Sequence, residues 1–114
     1  MENCLFCRII KGEVPARKVF EDDRLIVIED ISPVAPVHYL LIPKRHFVNS
    51  LDMHPEDNDL VGHVFQVAAS IARDKGIAES GFRIVINNNA GAGQSVFHIH
   101  FHFLAGRKFA WPPG

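Results

Sequence analysis

The sequence is short of cysteine, of net charge and of long apolar runs, and each shortage removes a class of protein. Its two cysteines, Cys4 and Cys7, are too few and too close together to build a disulfide framework. Lysine and arginine number 12 against 13 acidic residues, which leaves a net charge of −1. That balance argues against a chain held by charge on nucleic acid or on a membrane surface. No stretch approaches the roughly 18 apolar residues of a membrane-spanning helix. Met1-Glu2-Asn3-Cys4 lacks the basic-then-apolar layout of a secretory leader, so the chain is expected in the cytoplasm. Internal repeats and low-complexity segments are missing as well.

What is there suits one domain, residues 1–114. Hydrophobic residues make up 47 % of the chain and include nine phenylalanines, enough for a packed core. Val19-Phe20 and Leu25 to Ile28 read as strands joined by a turn at Asp22-Asp23. "VHYLLIPKRH" reads as a third strand stopped by Pro43, "FRIVIN" as a fourth and "VFHIHFHFL" as a fifth. "CLFCRIIKG" fits a short helical turn ended by Gly12. Between Pro55 and Gly76, the residues Leu60, Val61, Val64, Val67, Ala68, Ile71 and Ala72 share one face of a long helix. Pro55 suits its first turn and Gly76 its left-handed C-terminal cap. Short links favour antiparallel pairing, and the long helix can cover one sheet face. The expected fold is α+β, with an irregular tail from Arg107.

The chemistry concentrates in "QSVFHIHFHFLAG". His98, His100 and His102 alternate with Ile99, Phe101 and Phe103. On a strand, residues two apart share a face, so the imidazoles line one surface and the apolar residues pack beneath the helix. Three histidines in five residues are an unusual choice for a merely solvated face. Two chemical readings remain on the residues alone: metal ligation by His-x-His, or an imidazole nucleophile with its neighbours handling charge and protons. The loop Asn87 to Ser95 leads directly into these histidines. Alone it reads as a simple turn or as a loop whose glycines turn backbone N–H groups inward around an anion; beside three histidines the anion cradle, and with it phosphorus chemistry, is the better reading.

In order along the chain, "FEDDR", "DISPVAPVHYLLIPKRH", "GQSVFHIHFHFLAGR" and the terminal "WPPG" resemble the histidine triad superfamily, and closely its Hint branch. The resemblance implies a five-stranded antiparallel sheet that pairs in a homodimer into one ten-stranded sheet. It implies hydrolysis of purine nucleoside 5′-phosphoramidates through a nucleotidyl-histidine intermediate, and binding of AMP-like ligands. Carried over residue by residue, it places the nucleophile at His100. His98, His102, His38 and Ser95 complete the catalytic set, His102 on the phosphoryl oxygens and Ser95 near the leaving amine. Asp30 and Ile31 would meet the nucleoside, while Asn87 and the Gly93-Gln94-Ser95 backbone would hold the phosphate. The tail around Trp111 would reach the partner's site.

Cys4-x-x-Cys7 fits half of a tetrahedral metal site or two small buried hydrophobes. Some bacterial-type members of the resembling family bind a structural zinc, and the matching positions are Cys4, Cys7, His46 and His98. No cofactor is then required for catalysis itself. His54 and His63 are expected to be ordinary surface or edge histidines. Two further readings stay open: a metal-dependent hydrolase with zinc on the triad, and a non-catalytic AMP-binding protein.

Overall fold

The computed structural model describes residues 3–114. Five strands form one antiparallel sheet in the order β1-β2-β3-β5-β4: β1 Lys18–Glu21, β2 Leu25–Glu29, β3 Val37–Pro43, β4 Phe82–Val85 and β5 Phe101–Ala105. A short helix, α1 (Leu5–Ile10), precedes them, and a long one, α2 (Asn58–Asp74), separates β3 from β4. The expected α+β architecture is therefore present. Pro55–Asp57 forms a 3₁₀ turn ahead of α2, and Gly76 follows it at φ +71. That left-handed conformation ends a helix without strain only at glycine.

Both faces of the sheet are covered. On one, Val64, Val67, Ala68, Ile71 and Ala72 of α2 pack on Leu25, Val27, Leu41, Ile99, Phe101 and Phe103. On the other, Phe6 and Ile9 of α1 meet Ile26, Ile28, Leu40 and Ile42. This explains the near-continuous apolar runs of β2 and β3, which are buried on both sides.

Two strands differ from expectation. β4 ends at Val85 rather than Asn87, and β5 begins at Phe101 rather than Val96. The reason lies in β3, where Leu41 pairs with Phe101 and the strand stops at Pro43. Beyond that point the Pro43 carbonyl accepts from the His98 side chain, and the Ile99 amide turns to the Phe47 carbonyl. The ladder is gone, yet the alternation persists: Ile99 still faces α2 and His98 and His100 still face away from it. His63 also corrects expectation. Its Nε2 lies 2.6 Å from Asp22 Oδ2, tying α2 to the β1–β2 turn across a distance in sequence that local spacing does not report. The tail is irregular but anchored: Arg83 donates to the Ala110 carbonyl, and the Arg83 and Arg107 guanidinium groups lie over the Phe109 ring. Trp111 is exposed.

Gly106, just after β5, sits at φ +92, and a Cβ there would stand 2.8 Å from Pro36 Cβ. Gly106→Ala should therefore lose ~2 kcal/mol or more through backbone strain plus the clash. Urea unfolding measures this, and an unchanged midpoint would mean that the Pro36 loop yields freely.

Candidate functional site

The cleft lies on the α1 side of the sheet, with a volume of about 450 Å³. Leu5, Phe6 and Ile9 of α1 form one wall, and the Asp30–Ser32 turn after β2 forms another. His38, His100, His102, Ser95 and Val96 close the remaining side. Ile31 is 98 % exposed, a large apolar side chain on the rim with room for a partner. The apolar wall was missed in the sequence. The i, i+1, i+4 spacing of Leu5, Phe6 and Ile9 on one helical turn was the available signal.

Each imidazole of the triad has its own neighbours. His98 is fully buried; its Nε2–H donates to the Pro43 carbonyl at 2.7 Å, which leaves Nδ1 as a lone pair. His100 Nδ1–H donates to the His98 carbonyl at 2.8 Å, so its Nε2 is the unprotonated nitrogen. The Phe6 ring packs edge-on against it, with centroids 5.0 Å apart. His38 Nδ1 accepts the Val34 amide at 3.1 Å, which puts its proton on Nε2. That N–H faces His102 Nδ1 and Asp30 Oδ2, which lie 2.9 Å and 3.3 Å from His38 Nε2. His102 Nδ1 is then an acceptor, and its own proton lies on Nε2.

These imidazoles are held neutral. Burial pushes His102 down to about 4, helped by His100 and His38 and opposed by Asp30. Burial likewise lowers His100, against the pull of the His98 carbonyl and Asp30. His38 is lowered by burial, again against Asp30. His98 falls to about 4 for the same leading reason. The arrangement offers one unprotonated imidazole nitrogen at His100 beside an N–H donor at His102.

The four expected metal ligands meet in space. Cys4 Sγ lies 3.3 Å from His98 Nδ1, Cys7 Sγ lies 3.6 Å from it and 3.4 Å from His46 Nδ1, and the two Nδ1 atoms are 3.1 Å apart. Donors around a tetrahedral zinc stand roughly 3.3–3.8 Å from one another, as bond lengths of ~2.0–2.3 Å require. The donor set thus fits such an ion, and the Pro43 carbonyl supplies the outer hydrogen bond that fixes a ligating imidazole. Burial, followed by the neighbouring Cys4, pushes the Cys7 thiol up, a bias that a bound cation would reverse. The triad itself has no common focus. His98 turns to the cysteines and His102 to His38, while His100 turns to a carbonyl. His38, with its proton fixed on Nε2 by Val34, cannot offer that nitrogen to a metal. A single catalytic ion shared by the three histidines is not supported.

The loop residues divide. Ser95 lies on the cleft wall. The Gly93 and Gln94 amides are engaged inside the loop, with the carbonyls of Ala90 and Asn89. The Gln94 side chain is buried away from the cleft, and Asn87 stands next to Gly93. Asp30 Oδ1 accepts the Ser32 amide, which leaves Oδ2 toward His38 and the cleft.

The HIT domain family model matches residues 11–109. A HIT-like protein of Synechocystis sp. is 49 % identical over 113 residues, covering 99 % of this chain and 98 % of its own. A HIT family hydrolase from Legionella pneumophila superposes with a TM-score of 0.96 at 46 % identity, covering 98 % of this chain and all of its own. A zinc-bound histidine triad family protein from Mycobacterium smegmatis reaches 0.80 at 40 % identity, over 93 % of this chain and 76 % of its own.

The fold holds His102 at about 4, whereas an unfolded histidine titrates near ~6.5. As pH falls, the unfolded chain takes up this proton first, so the stability is intact above ~6.5 and is lost progressively towards ~4. Melting temperatures across that window should decline less steeply in His102→Gln than in the wild type. Parallel declines would show that His102 is not desolvated in the fold.

Proposed function

The chain belongs to the HIT domain family, and on that premise we propose that it is a nucleotide hydrolase cleaving purine nucleoside 5′-phosphoramidates through His100. The observation that carries this reading is the His100 Nδ1–H bond to the His98 carbonyl, which leaves Nε2 free and unprotonated at the cleft. The likeness to the Legionella hydrolase and the apolar wall of α1, suited to a purine, add support.

In the proposed reaction, His100 Nε2 attacks phosphorus and forms an N–P bond as the bond from phosphorus to the leaving amine breaks. Ser95, on the same cleft wall as His100, is placed to hydrogen-bond the departing amine, which takes its proton from solvent water as the P–N bond breaks. His102 Nε2–H donates to a phosphoryl oxygen, with its tautomer set through His38 by the Val34 amide. Water then cleaves the nucleotidyl-imidazole and releases AMP or its purine analogue. The Asp30 carboxylate would accept from the ribose hydroxyls.

Cys4, Cys7, His46 and His98 would hold a zinc, as the zinc-bound Mycobacterium smegmatis relative suggests. Bound there, the ion supplies a crosslink between α1 and the triad. The catalytic residues act without it. The working unit would be a homodimer: β4 is an edge strand of half-buried residues, and Phe65 of α2 is exposed. Pairing would cover both.

His100→Ala should abolish turnover of adenosine phosphoramidate by several orders of magnitude while AMP still binds, because water must then attack phosphorus directly. Single-turnover mass spectrometry on the wild type should detect a nucleotidyl adduct at His100. Retention of more than about a tenth of the rate would rule out the covalent route.

Purified protein should carry ~1 zinc per chain. The double variant Cys4→Ser, Cys7→Ser should lose the metal and melt lower, yet remain measurably active. Metal-free wild type whose melting is indifferent to EDTA would remove zinc from this account.

A further inference from the structure

The segment His46–Asn49 runs beside the glycine-containing loop and the start of the triad, and each of its four residues holds one of them. His46 Nδ1 meets His98 Nδ1, and the Phe47 carbonyl accepts the Ile99 amide at 2.7 Å. The Val48 carbonyl accepts from Gln94 Nε2 at 2.6 Å. Asn49 Nδ2 donates to Gln94 Oε1 at 3.1 Å and to Asn89 Oδ1 at 2.9 Å.

Gln94 is the hinge pin of this arrangement. Besides Val48 and Asn49, its Nε2 reaches the Val96 carbonyl at 3.2 Å and its Oε1 accepts the Asn89 amide at 2.7 Å. Both protons and both lone pairs of the amide are thereby used. Asn49 adds an acceptor to the Leu51 amide. Exposure is 3 % at Asn49 and 4 % at Gln94, and neither side chain lines the cleft. Gln94 has nothing left to offer a ligand, and Asn49 has no free donor.

What they hold is strained. Asn89 has φ 71 and ψ 166, a region nearly reserved for glycine. Its amide is taken by Gln94 and its side-chain carbonyl by Asn49, so the strain is opposed at two points. Between this residue and Val96 the chain must bring Ser95 onto the cleft wall. A misplacement of about 1 Å among groups that grip a reacting centre can remove a hundred-fold in rate.

We infer that Asn49 and Gln94 are positioning residues, a buried amide clamp that holds the Asn89 loop so that the main chain of Ser95, on the cleft wall, meets a 5′-phosphate. The inference rests on the nucleotide reading above. Removing the clamp acts on the phosphate and leaves the purine and ribose contacts alone, because those come from α1 and the Asp30–Ile31 turn.

The test compares dissociation constants for AMP and adenosine, measured well below each variant's melting temperature. Gln94→Met and Asn49→Ala should weaken AMP by about ten-fold or more, the loss expected for one hydrogen bond to a charged group. Adenosine should stay within about two-fold, since none of its contacts changes. Asn89→Gly should hold the wild-type preference for AMP, because glycine takes this backbone conformation unaided, whereas Asn89→Ala should lose it. This second pair decides the matter should Gln94→Met fail to fold. Clamp variants that melt lower but keep the wild-type AMP-to-adenosine ratio would overturn the inference, as would equal behaviour of Asn89→Gly and Asn89→Ala. A wild type with no preference for AMP over adenosine would instead sink the nucleotide reading, and the clamp's role with it.

Discussion

Everything at the site depends on how His98 is held. It has no exposed surface, and three of its groups point in three directions. Nε2–H is spent on the Pro43 carbonyl at the end of β3, Nδ1 faces the two thiols and His46, and the main-chain carbonyl receives His100 Nδ1–H. One residue thus joins the sheet, the N-terminal helix and His100. Any shift of its backbone would move the carbonyl that fixes the His100 tautomer. Burying an imidazole is tolerable because each of its polar atoms has a partner.

The same economy extends outward. Among the described residues, no buried side-chain nitrogen or oxygen lacks a hydrogen-bond partner, even though six polar or charged side chains are buried. Two chains of hydrogen bonds carry direction into the cleft. One runs from Val34 through His38 to His102 and ends in a donor. The other runs from His98 to His100 and ends in an acceptor. Low local polarity lowers all four histidines, and that keeps donor and acceptor distinct at neutral pH, where a cationic imidazole would be a donor at both nitrogens.

Patterns of period two and 3.6 made the sheet, α2 and the facing of the triad legible in sequence, because those depend on near neighbours. The meeting of Cys4 and Cys7 with His46 and His98 came from resemblance to a family; spacing alone left the cysteines as two small hydrophobes or half a site. Other features depend on partners far along the chain. β5 begins late because β3 runs out at Pro43 and Phe47 takes the Ile99 amide. His63 finds Asp22 only once α2 lies over the β1–β2 turn, and there the amides of Arg24 and Leu25 with His63 outweigh burial and keep the Asp22 carboxyl low. Asn49 gave no local signal, since an asparagine in a loop is ordinarily a turn residue.

The N-terminal helix shows why the Cys/His cluster and the cleft belong to one design. Six residues are too few for a helix to stand alone in water. α1 is held by Phe6 and Ile9 on the sheet and by Cys4 and Cys7 beside His98 and His46. Cys4 also accepts the Cys7 amide as the helix cap, so one thiol of the Cys/His cluster is also the start of the helix. Leu5, Phe6 and Ile9 then form the cleft wall, with Phe6 directly against His100. An ion on the four donors would act at a distance from the cleft, by keeping this short helix in place beside His100. A family member without the cysteines must hold that wall by apolar packing alone, which the second core of this sheet already begins to do.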